Sequence, residues 1–449
     1  MGKIINIWLK TLIFFNLFLF ITVFYFSDLK SHIFHIDEYS FLRKSYLFDL
    51  FIKKNFNDLR WSSDNFDQPR LGPYIYGFSL HLRGINNIEK FQKRIKFNEI
   101  KINNRSWWEE LSWEKLSDFP SEVQFGGQPV VQERKVAALF SLGALLILLW
   151  LGFISKKIKF AFLAISLLTF NRLMFYYGRL AMTDSFQLFF FFLNLILILY
   201  YLKSFFQKNK KSFLVLSFLI GINIALSTGV KVIGILALIF FLGIFSVSFI
   251  INQQKKYLET RLILVSLVIV LTSFFVIFVF LNPQIYSQPF NGFIKMFTLR
   301  WQSSINYQQT SRKPVKTKIA ALSLIINKLL LPGGKFGNFG LIRFMHFNLH
   351  ILFNGLALLV KNALLRFQKQ KEISLEFILA SWFGLCFFSL IFYLKNDWPR
   401  YYLPLAVAIT LIQAYFLAWF TEKGLTFFKR KVFIKFKDKF KVFNTILRS

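Results

Sequence analysis

The sequence has little of what soluble enzymes usually carry. Charged residues make up 17% of its 449 positions, whereas typical soluble domains have about a quarter. Cys386 is the only cysteine, which excludes a disulfide within the chain. The sequence also has neither a Walker-type nor a Rossmann-type glycine pattern, so it offers no recognisable nucleotide-binding loop. These absences argue against a soluble, nucleotide-dependent enzyme.

Apolar residues take the place of the missing charge. Hydrophobic residues make up 55% of the chain, and 62 of them are Phe. Because about 20 apolar residues cross the hydrocarbon core of a bilayer, we predict spans at 5–27, 136–154, 158–176, 185–203, 212–228, 231–251, 262–281, 342–365, 374–394 and 401–420. The run 318–331 is a further candidate that could instead lie along the surface. The predicted fold is an all-α integral membrane protein, a polytopic bundle of about 10–11 transmembrane helices.

The positive charge follows the predicted topology. The net charge is +34, and the short loops richest in Lys and Arg alternate along the chain at 155–159, 207–211, 253–261 and 366–371, with a basic tail after them. The positive-inside rule places these segments and both termini in the cytoplasm. The charge is therefore expected to meet anionic lipids rather than nucleic acid.

Two parts of the chain are predicted. Residues 1–421 form the membrane domain, and residues 422–449 form a basic cytoplasmic tail, either amphipathic on lipid or solvated. A bias toward Phe, Ile, Lys and Asn is typical of an AT-rich genome and favours the cytoplasmic (inner) membrane of a prokaryote.

The external face is predicted to carry two long loops. The first spans about 28–134 and is expected to be helical; the second spans about 282–340. A third, short loop near 177–184 is predicted on the same face. Ionisable groups next to a membrane are costly and by default indicate function, and this face gathers Asp37, Glu38, Arg179, Asp184, Lys231, Asp397 and Arg400.

The acidic residues of this face also have structural interpretations. Asp37 and Glu38 could begin a surface helix, where acids complement the helix dipole. Thr183 and Asp184 could cap the span that follows them. Both interpretations stay open at the level of the sequence.

The basic residues are similarly ambiguous. Lys231 could be a snorkelling lysine at the membrane interface, and Arg400 could pair with Asp397 in its own turn. Arg179 is harder to explain, because an Arg in a short external loop opposes the topology rule. Its cost needs an offsetting contact.

Taken together, these residues favour one chemistry. A carboxylate can act as a general base, and fixed cations can hold a phosphate. Glycosyl transfer from a lipid-linked sugar phosphate needs both and needs no nucleotide. A transporter or flippase of envelope glycolipids would instead place its charges near the membrane midplane. A non-catalytic envelope assembly protein would have no need of the acid pair.

Five short motifs occur in a fixed order: "HIDEYS", "DQPRLGPYIYG", "RLAMTDS", "STGVKVIG" and "RYYLP". In this order they resemble motifs of the C-type glycosyltransferases, specifically the protein O-mannosyltransferases and lipid A aminoarabinose transferases. The resemblance covers roughly residues 1 to 240 and the region near 400. The second motif has Pro69-Arg70 where the family usually has Pro-Pro.

The resemblance implies roles for individual residues. It makes Asp37 the catalytic base, with Glu38 and Asp184 positioning donor or acceptor. The expected donor-phosphate contacts are Arg179, Lys231 and Arg400. The expected substrate-positioning residues are Asp67, Pro69, Arg70 and Tyr74.

The resemblance also implies partners. The donor would be a polyprenyl-phosphate sugar, carrying a hexose such as mannose or an aminosugar. The acceptor would be a hydroxyl on a protein, a lipid or a glycan, and transfer would invert the anomeric carbon. No cofactor is predicted; paired acids would suit a divalent metal, but none is expected.

Overall fold

The computed structural model describes residues 15–30, 36–63, 66–90, 127–310, 314–330, 347–370 and 372–446. Within these ranges the structure is helical, and the pairing of Pro314 with Asn396 is an isolated β-bridge. The helices are α1 (Phe15–Phe26), α2 (Ile36–Lys44), α3 (Leu47–Ile52), α4 (Arg60–Ser63), α5 (Leu71–His81), α6 (Gly127–Ile154), α7 (Ile158–Thr169), α8 (Arg172–Tyr177), α9 (Asp184–Phe206), α10 (Lys210–Val230), α11 (Leu236–Lys255), α12 (Thr260–Leu281), α13 (Pro289–Thr310), α14 (Lys318–Ile325), α15 (Phe347–Gln370), α16 (Leu375–Tyr393) and α17 (Leu403–Ile446).

Eight helical stretches are long and apolar enough to cross a membrane. They are Val130–Ile154, Asp184–Phe206, Lys210–Val230, Val232–Lys255, Thr260–Leu281, Leu349–Lys369, Leu375–Tyr393 and Pro399–Gly424. Helices α1 and α7 are apolar but shorter, and each falls within a predicted span. The prediction of an all-α integral membrane protein with multiple spans is confirmed. Within the described residues there are eight full-length spans and two shorter apolar helices, where the sequence predicted ten spans and an eleventh candidate; residues 5–14 of the first predicted span lie outside the described part of the chain.

The predicted span 158–176 is broken. Helix α7 ends at Thr169, and α8 begins at Arg172. Asn171 caps α8, since its side-chain oxygen accepts from the N–H groups of Leu173 and Met174, each at 3.1 Å. Asn is among the residues best suited to this position, and hydropathy alone does not register it.

The candidate span 318–331 does not form a long helix. Helix α14 has eight residues and is followed by one π-helical turn, Ile326–Leu330. At about 1.5 Å per residue this segment covers about 20 Å, short of the roughly 30 Å of a hydrocarbon core. Residues 331–346 lie outside the described part of the chain.

Part of the first external loop forms a helical cap, defined here as residues 36–63 and 66–90. Helices α2 and α5 pack against each other and against α6, and α5 also contacts α10. The hydroxyl of Tyr76 donates to the Met182 carbonyl at 2.9 Å, which ties α5 to the segment before α9. The loop is therefore helical where it is described, as predicted; residues 91–126 lie outside the described ranges.

The spans pack into one bundle. Helix α10 contacts α9 and α12, α9 contacts α6, and α17 contacts α7, α15 and α16. Helix α17 runs without a break for 44 residues, so the predicted tail 422–449 continues the last span as helix through Ile446. A division of the chain at residue 421 stays a prediction.

Candidate active site

A cavity lies where several helix ends meet near the cap. Asp184 lines it together with three cations, Lys231, Arg300 and Arg400. Asp184 begins α9, Lys231 directly follows α10, and Arg400 lies in the turn before α17. The structure thus brings together three residues that are far apart in the sequence and that the sequence pattern had singled out.

Lys231 and Asp184 form an ion pair at the base of this cavity. Lys231 Nζ lies 2.7 Å from Asp184 Oδ1, and the Asp184 side chain is 4% exposed. Burial lowers the pKa of the Lys231 amine, while the Asp184 carboxylate acts in the opposite direction. Lys231 therefore faces the cavity, which does not fit a snorkelling role.

Thr183 does not cap α9. Its backbone is already helical, and its side chain makes no cap hydrogen bond. The interpretation of Thr183 and Asp184 as a helix cap is therefore wrong for Thr183, while Asp184 becomes the first helical residue. This frees the Asp184 carboxylate for the cavity.

The turn that presents Lys231 depends on Gly234. A Cβ atom at this position would lie 2.3 Å from the Ser227 carbonyl carbon and 2.5 Å from the Thr228 nitrogen. Because both are backbone atoms, Gly234→Ala should displace the turn and destabilise the protein by about 1–3 kcal/mol. Thermal unfolding in detergent measures this. Gly243→Ala is the control, since nothing lies within 4 Å of a Cβ there; equal midpoints for the two variants would contradict the expectation.

Arg400 pairs with Asp37. The Arg400 Nη1 group donates to Asp37 Oδ2, which joins the turn before α17 to the first turn of α2. The two side chains are 17% and 24% exposed. The alternative partner, Asp397, instead accepts from Lys328 and from the hydroxyl of Tyr402. The interpretation of Arg400 as a partner of Asp397 is therefore wrong.

Arg300 is a cavity residue that the sequence analysis missed. It lies in α13, within the second predicted external loop, and lines the cavity beside the other two cations. Its Nη1 lies 3.4 Å from Asp67 Oδ2. Long loops carry no topology signal, so an Arg in this segment did not stand out. The adjacent Trp301 is the one local hint of a membrane-interface position.

Gln187 is the second residue that was missed. It lies in the first turn of α9 and lines the cavity next to Asp184. It is 3% exposed. A single amide at the start of an apolar helix gives no sequence signal of its own.

The four predicted substrate-positioning residues lie around the cap. Asp67 contacts Arg300, as described above. Pro69 is buried. The Arg70 side chain donates to the Trp61 carbonyl at 2.7 Å, and its backbone N–H donates to Asn282 Oδ1 at 3.2 Å.

Tyr74 packs inside the cap rather than against the cavity. It is 5% exposed and belongs to a cluster with Leu47, Leu50 and Trp61. Its ring centroid lies 4.8 Å from that of Phe51. Of these four residues, Asp67 contacts the cavity-lining Arg300. Their role in positioning substrate stays a prediction.

Glu38 lies outside the cavity lining and is fully buried. Its two oxygens accept from Arg134 Nε at 2.8 Å and from Arg134 Nη2 at 2.7 Å, and both side chains are 0% exposed. Oε1 also accepts from the Ala181 N–H at 2.7 Å. Glu38 thus fixes α2, α6 and the segment before α9 relative to one another. These contacts favour a positioning role over direct contact with substrate.

Arg179 also lies outside the cavity lining. Its Nη2 donates to the Ser27 carbonyl, and its guanidinium lies 4.4 Å from the Phe175 ring centroid. These contacts offset the cost of an Arg in this short loop. Its predicted phosphate contact stays a prediction, while Arg300 is the third cation of the cavity.

A metal site was not predicted. Among the residues that the structure describes, no group of three or more His, Cys, Asp or Glu side chains could hold a metal ion. The two acids nearest the cavity, Asp37 and Asp184, are each bonded to a cation. The absence of a metal requirement stays a prediction.

Comparison with protein-family models identifies part of this bundle. Residues 114–292 match the family described as "Dolichyl-phosphate-mannose-protein mannosyltransferase". This segment is similar to that family. It includes Arg179, Asp184 and Lys231, and it confirms the recognition made from the motifs. Arg300 and Arg400 lie beyond the matched segment.

A solved structure shows a further likeness. The protein resembles the crystal structure of ArnT from Cupriavidus metallidurans bound to undecaprenyl phosphate, with 13% sequence identity and a TM-score of 0.49. The alignment covers 90% of this chain and 60% of that one, so the chain spans less than two thirds of the solved structure. The comparison with curated proteins gave no match.

Proposed function

We propose that the protein is a membrane glycosyltransferase that moves a sugar from a polyprenyl-phosphate donor to a hydroxyl acceptor. The observation that carries this proposal is the clustering of Lys231, Arg300 and Arg400 around one cavity that also contains Asp184. The lining carries these three cations and one carboxylate, because Asp37 and Asp67, which pair with Arg400 and Arg300, lie outside it. The three cations suit an anionic ligand such as a phosphate. The mannosyltransferase-family segment supports the same chemistry.

The location of the cavity supports a lipid-linked donor. Apart from Arg300 in α13, its lining residues come from the ends of membrane-spanning helices and the turns next to them, and the cap is joined to them through the contacts of Asp37 with Arg400 and of Asp67 with Arg300. The isoprenoid chain would stay in the bilayer while the phosphate reaches the cations at the end of the bundle. We propose that this face is external, as the basic loops of the opposite face predict, in a prokaryotic inner membrane. The acceptor would then be a protein, lipid or glycan on that side.

The proposed reaction is a single displacement. The acceptor oxygen attacks the anomeric carbon, the bond from that carbon to the phosphate oxygen breaks, and the electron pair stays on the phosphate. The acceptor proton goes to the Asp37 carboxylate. The cations stabilise the charge that develops on the phosphate, and one displacement inverts the anomeric carbon.

Arg400 would couple donor binding to base activation. It is bonded to Asp37 and it also lines the cavity. An incoming phosphate would compete for its guanidinium and so weaken the hold on Asp37. A carboxylate that loses a cationic partner becomes a stronger base. Asp37 would therefore become most basic when the donor is in place.

Two other functions make different demands on the charges. A transporter needs them near the midplane, whereas Asp184, Lys231 and Arg400 lie at helix ends on one face. A non-catalytic assembly protein places no demand on the cations. The proposed enzyme needs the cations together with the carboxylates, and needs them at the helix ends on one face. A measurement of donor turnover therefore distinguishes the three functions.

The proposal is tested with Arg300→Gln. Purified protein is incubated with radiolabelled undecaprenyl-phosphate mannose and a membrane fraction that supplies acceptors, and binding of undecaprenyl phosphate alone is measured in parallel. Loss of one charged contact should weaken the binding of undecaprenyl phosphate and raise the apparent KM for the donor, each by about 10–100-fold. Arg60→Gln is the control, since Arg60 pairs with Asp58 and Glu89 in the cap. Unchanged binding in Arg300→Gln would contradict the proposed phosphate site.

A further inference from the structure

Two buried polar atoms belong to residues that line the cavity beside the cations. Asp184 Oδ2 and Gln187 Nε2 have no hydrogen-bond partner within the described part of the chain. Both residues are 3% exposed, and both line the cavity. The other oxygen of Asp184 accepts from Lys231. A buried polar group without a partner is rare in folded proteins, and in a cavity it indicates a ligand.

The two atoms form one complementary pair. Residues three apart on a helix lie on the same side of it, so Asp184 and Gln187 project from one face of α9. The carboxylate oxygen accepts a hydrogen bond, and the amide nitrogen donates one. A hydroxyl group does both at once. An ammonium group donates only, and it would also meet the repulsion of the nearby cations Lys231, Arg300 and Arg400.

We propose that Asp184 and Gln187 bind a hydroxyl of the donor sugar and select a neutral hexose over an aminosugar at that ring position. This inference rests on the proposed function, because the cations must hold the phosphate for the attached ring to reach the pair. In a sugar phosphate the ring is bonded directly to the phosphate group. A phosphate on the cations therefore brings the ring hydroxyls to the same cavity.

The pair acts through specificity rather than through the chemical step. Asp184 stays in contact with Lys231 through one oxygen while the second oxygen binds sugar. Gln187 makes the pair selective, because its amide N–H donates a hydrogen bond that an ammonium group cannot accept. A site built to hydrogen-bond a hydroxyl discriminates strongly against analogues that lack it.

The test uses the full chain in lipid nanodiscs with undecaprenyl-phosphate mannose, its four monodeoxy analogues, and analogues with an amino group at each of those positions. The wild type should lose at least about tenfold in kcat/KM on one deoxy analogue and on its amino counterpart. Gln187→Leu should lower kcat/KM for the complete hexose part of the way toward that of the deoxy analogue, because Asp184 Oδ2 can still accept from the hydroxyl. It should leave kcat/KM for the deoxy analogue itself unchanged, because the hydroxyl that Gln187 contacts is absent there.

Two further variants sharpen the result. Gln187→Glu keeps the shape of the side chain and replaces the hydrogen-bond donor Nε2 by an acceptor oxygen. It should therefore shift the preference of the enzyme toward the amino analogue. Asn194→Leu is the matched control: Asn194 is also buried in α9 and its amide atoms also have no hydrogen-bond partner within the described residues, but it does not line the cavity. Asn194→Leu should leave donor selectivity unchanged.

The outcomes separate this inference from the proposed function. If Gln187→Leu lowers turnover equally on all donors, the hydroxyl subsite is overturned and the glycosyltransferase stands. If the wild type prefers an amino donor, the selection for a neutral sugar is likewise overturned. If the wild type transfers no sugar from any donor, both the inference and the proposed function fail.

Discussion

Asp37→Asn should abolish sugar transfer while the protein stays folded and inserted. Asparagine has nearly the same size and can still accept a hydrogen bond from Arg400 through its side-chain oxygen, but it cannot take a proton from the acceptor. General bases contribute about 10²–10⁴-fold to turnover, so we expect the loss to fall in that range or beyond. Turnover of undecaprenyl-phosphate mannose measures it, and size-exclusion profiles in detergent monitor folding.

The control for this variant is Asp58→Asn. Asp58 is also an acid of the cap, but its partner Arg60, at 2.7 Å, does not line the cavity, whereas Asp37 is bonded to the cavity-lining Arg400. Its turnover should stay within about twofold of the wild type, since exposed ion pairs contribute little. Normal turnover by Asp37→Asn would remove Asp37 from the mechanism.

Arg134→Met should cause the largest loss of stability. It would leave the fully buried Glu38 carboxylate without its cation, and breaking a buried pair in this way costs about 3–5 kcal/mol. The cap would lose its main ionic contact with α6. The effect is measured by thermal unfolding in detergent, with the fraction of monodisperse protein at each temperature as the readout. A midpoint equal to that of the wild type would contradict the structural role of this pair.

The double variant Glu38→Leu with Arg134→Met separates stability from catalysis. Replacing both partners by apolar residues leaves no uncompensated charge, and such replacements are often neutral in stability. The double variant should therefore recover most of the stability lost in Arg134→Met. If it also recovers turnover, Glu38 is a positioning residue. A stable but inactive double variant would instead indicate that Glu38 acts on donor or acceptor, as the motif resemblance implied.

Hydropathy predicted the fold well because span length and apolarity are local properties. It failed where polar side chains act inside an apolar run, as at Asn171, whose capping hydrogen bonds begin a new helix. Hydropathy left 318–331 open between a span and a surface segment, and its described part is a short helix followed by one π-helical turn. The failure at Asn171 comes from hydrogen bonding rather than from hydrophobicity.

The candidate site was predicted in part. Asp37, Asp184, Lys231 and Arg400 carried family motifs and indeed lie close to one another. Arg300 and Gln187 lie outside those motifs, and their importance comes only from the cavity that they line.

The partners of the buried charges could not be predicted. The pairs of Glu38 with Arg134 and of Asp37 with Arg400 join residues that are 96 and 363 positions apart. No local pattern in the sequence records such separations.

The contact between Asp37 and Arg400 has a consequence for biosynthesis. Helix α2 is made early, whereas the turn with Arg400 emerges only after nearly all spans have been translated. In the proposed mechanism, a nascent chain would present Asp37 without Arg400 and could not turn over donor lipid. Competence would arise only when the last membrane segment docks, so partly inserted chains would consume no donor.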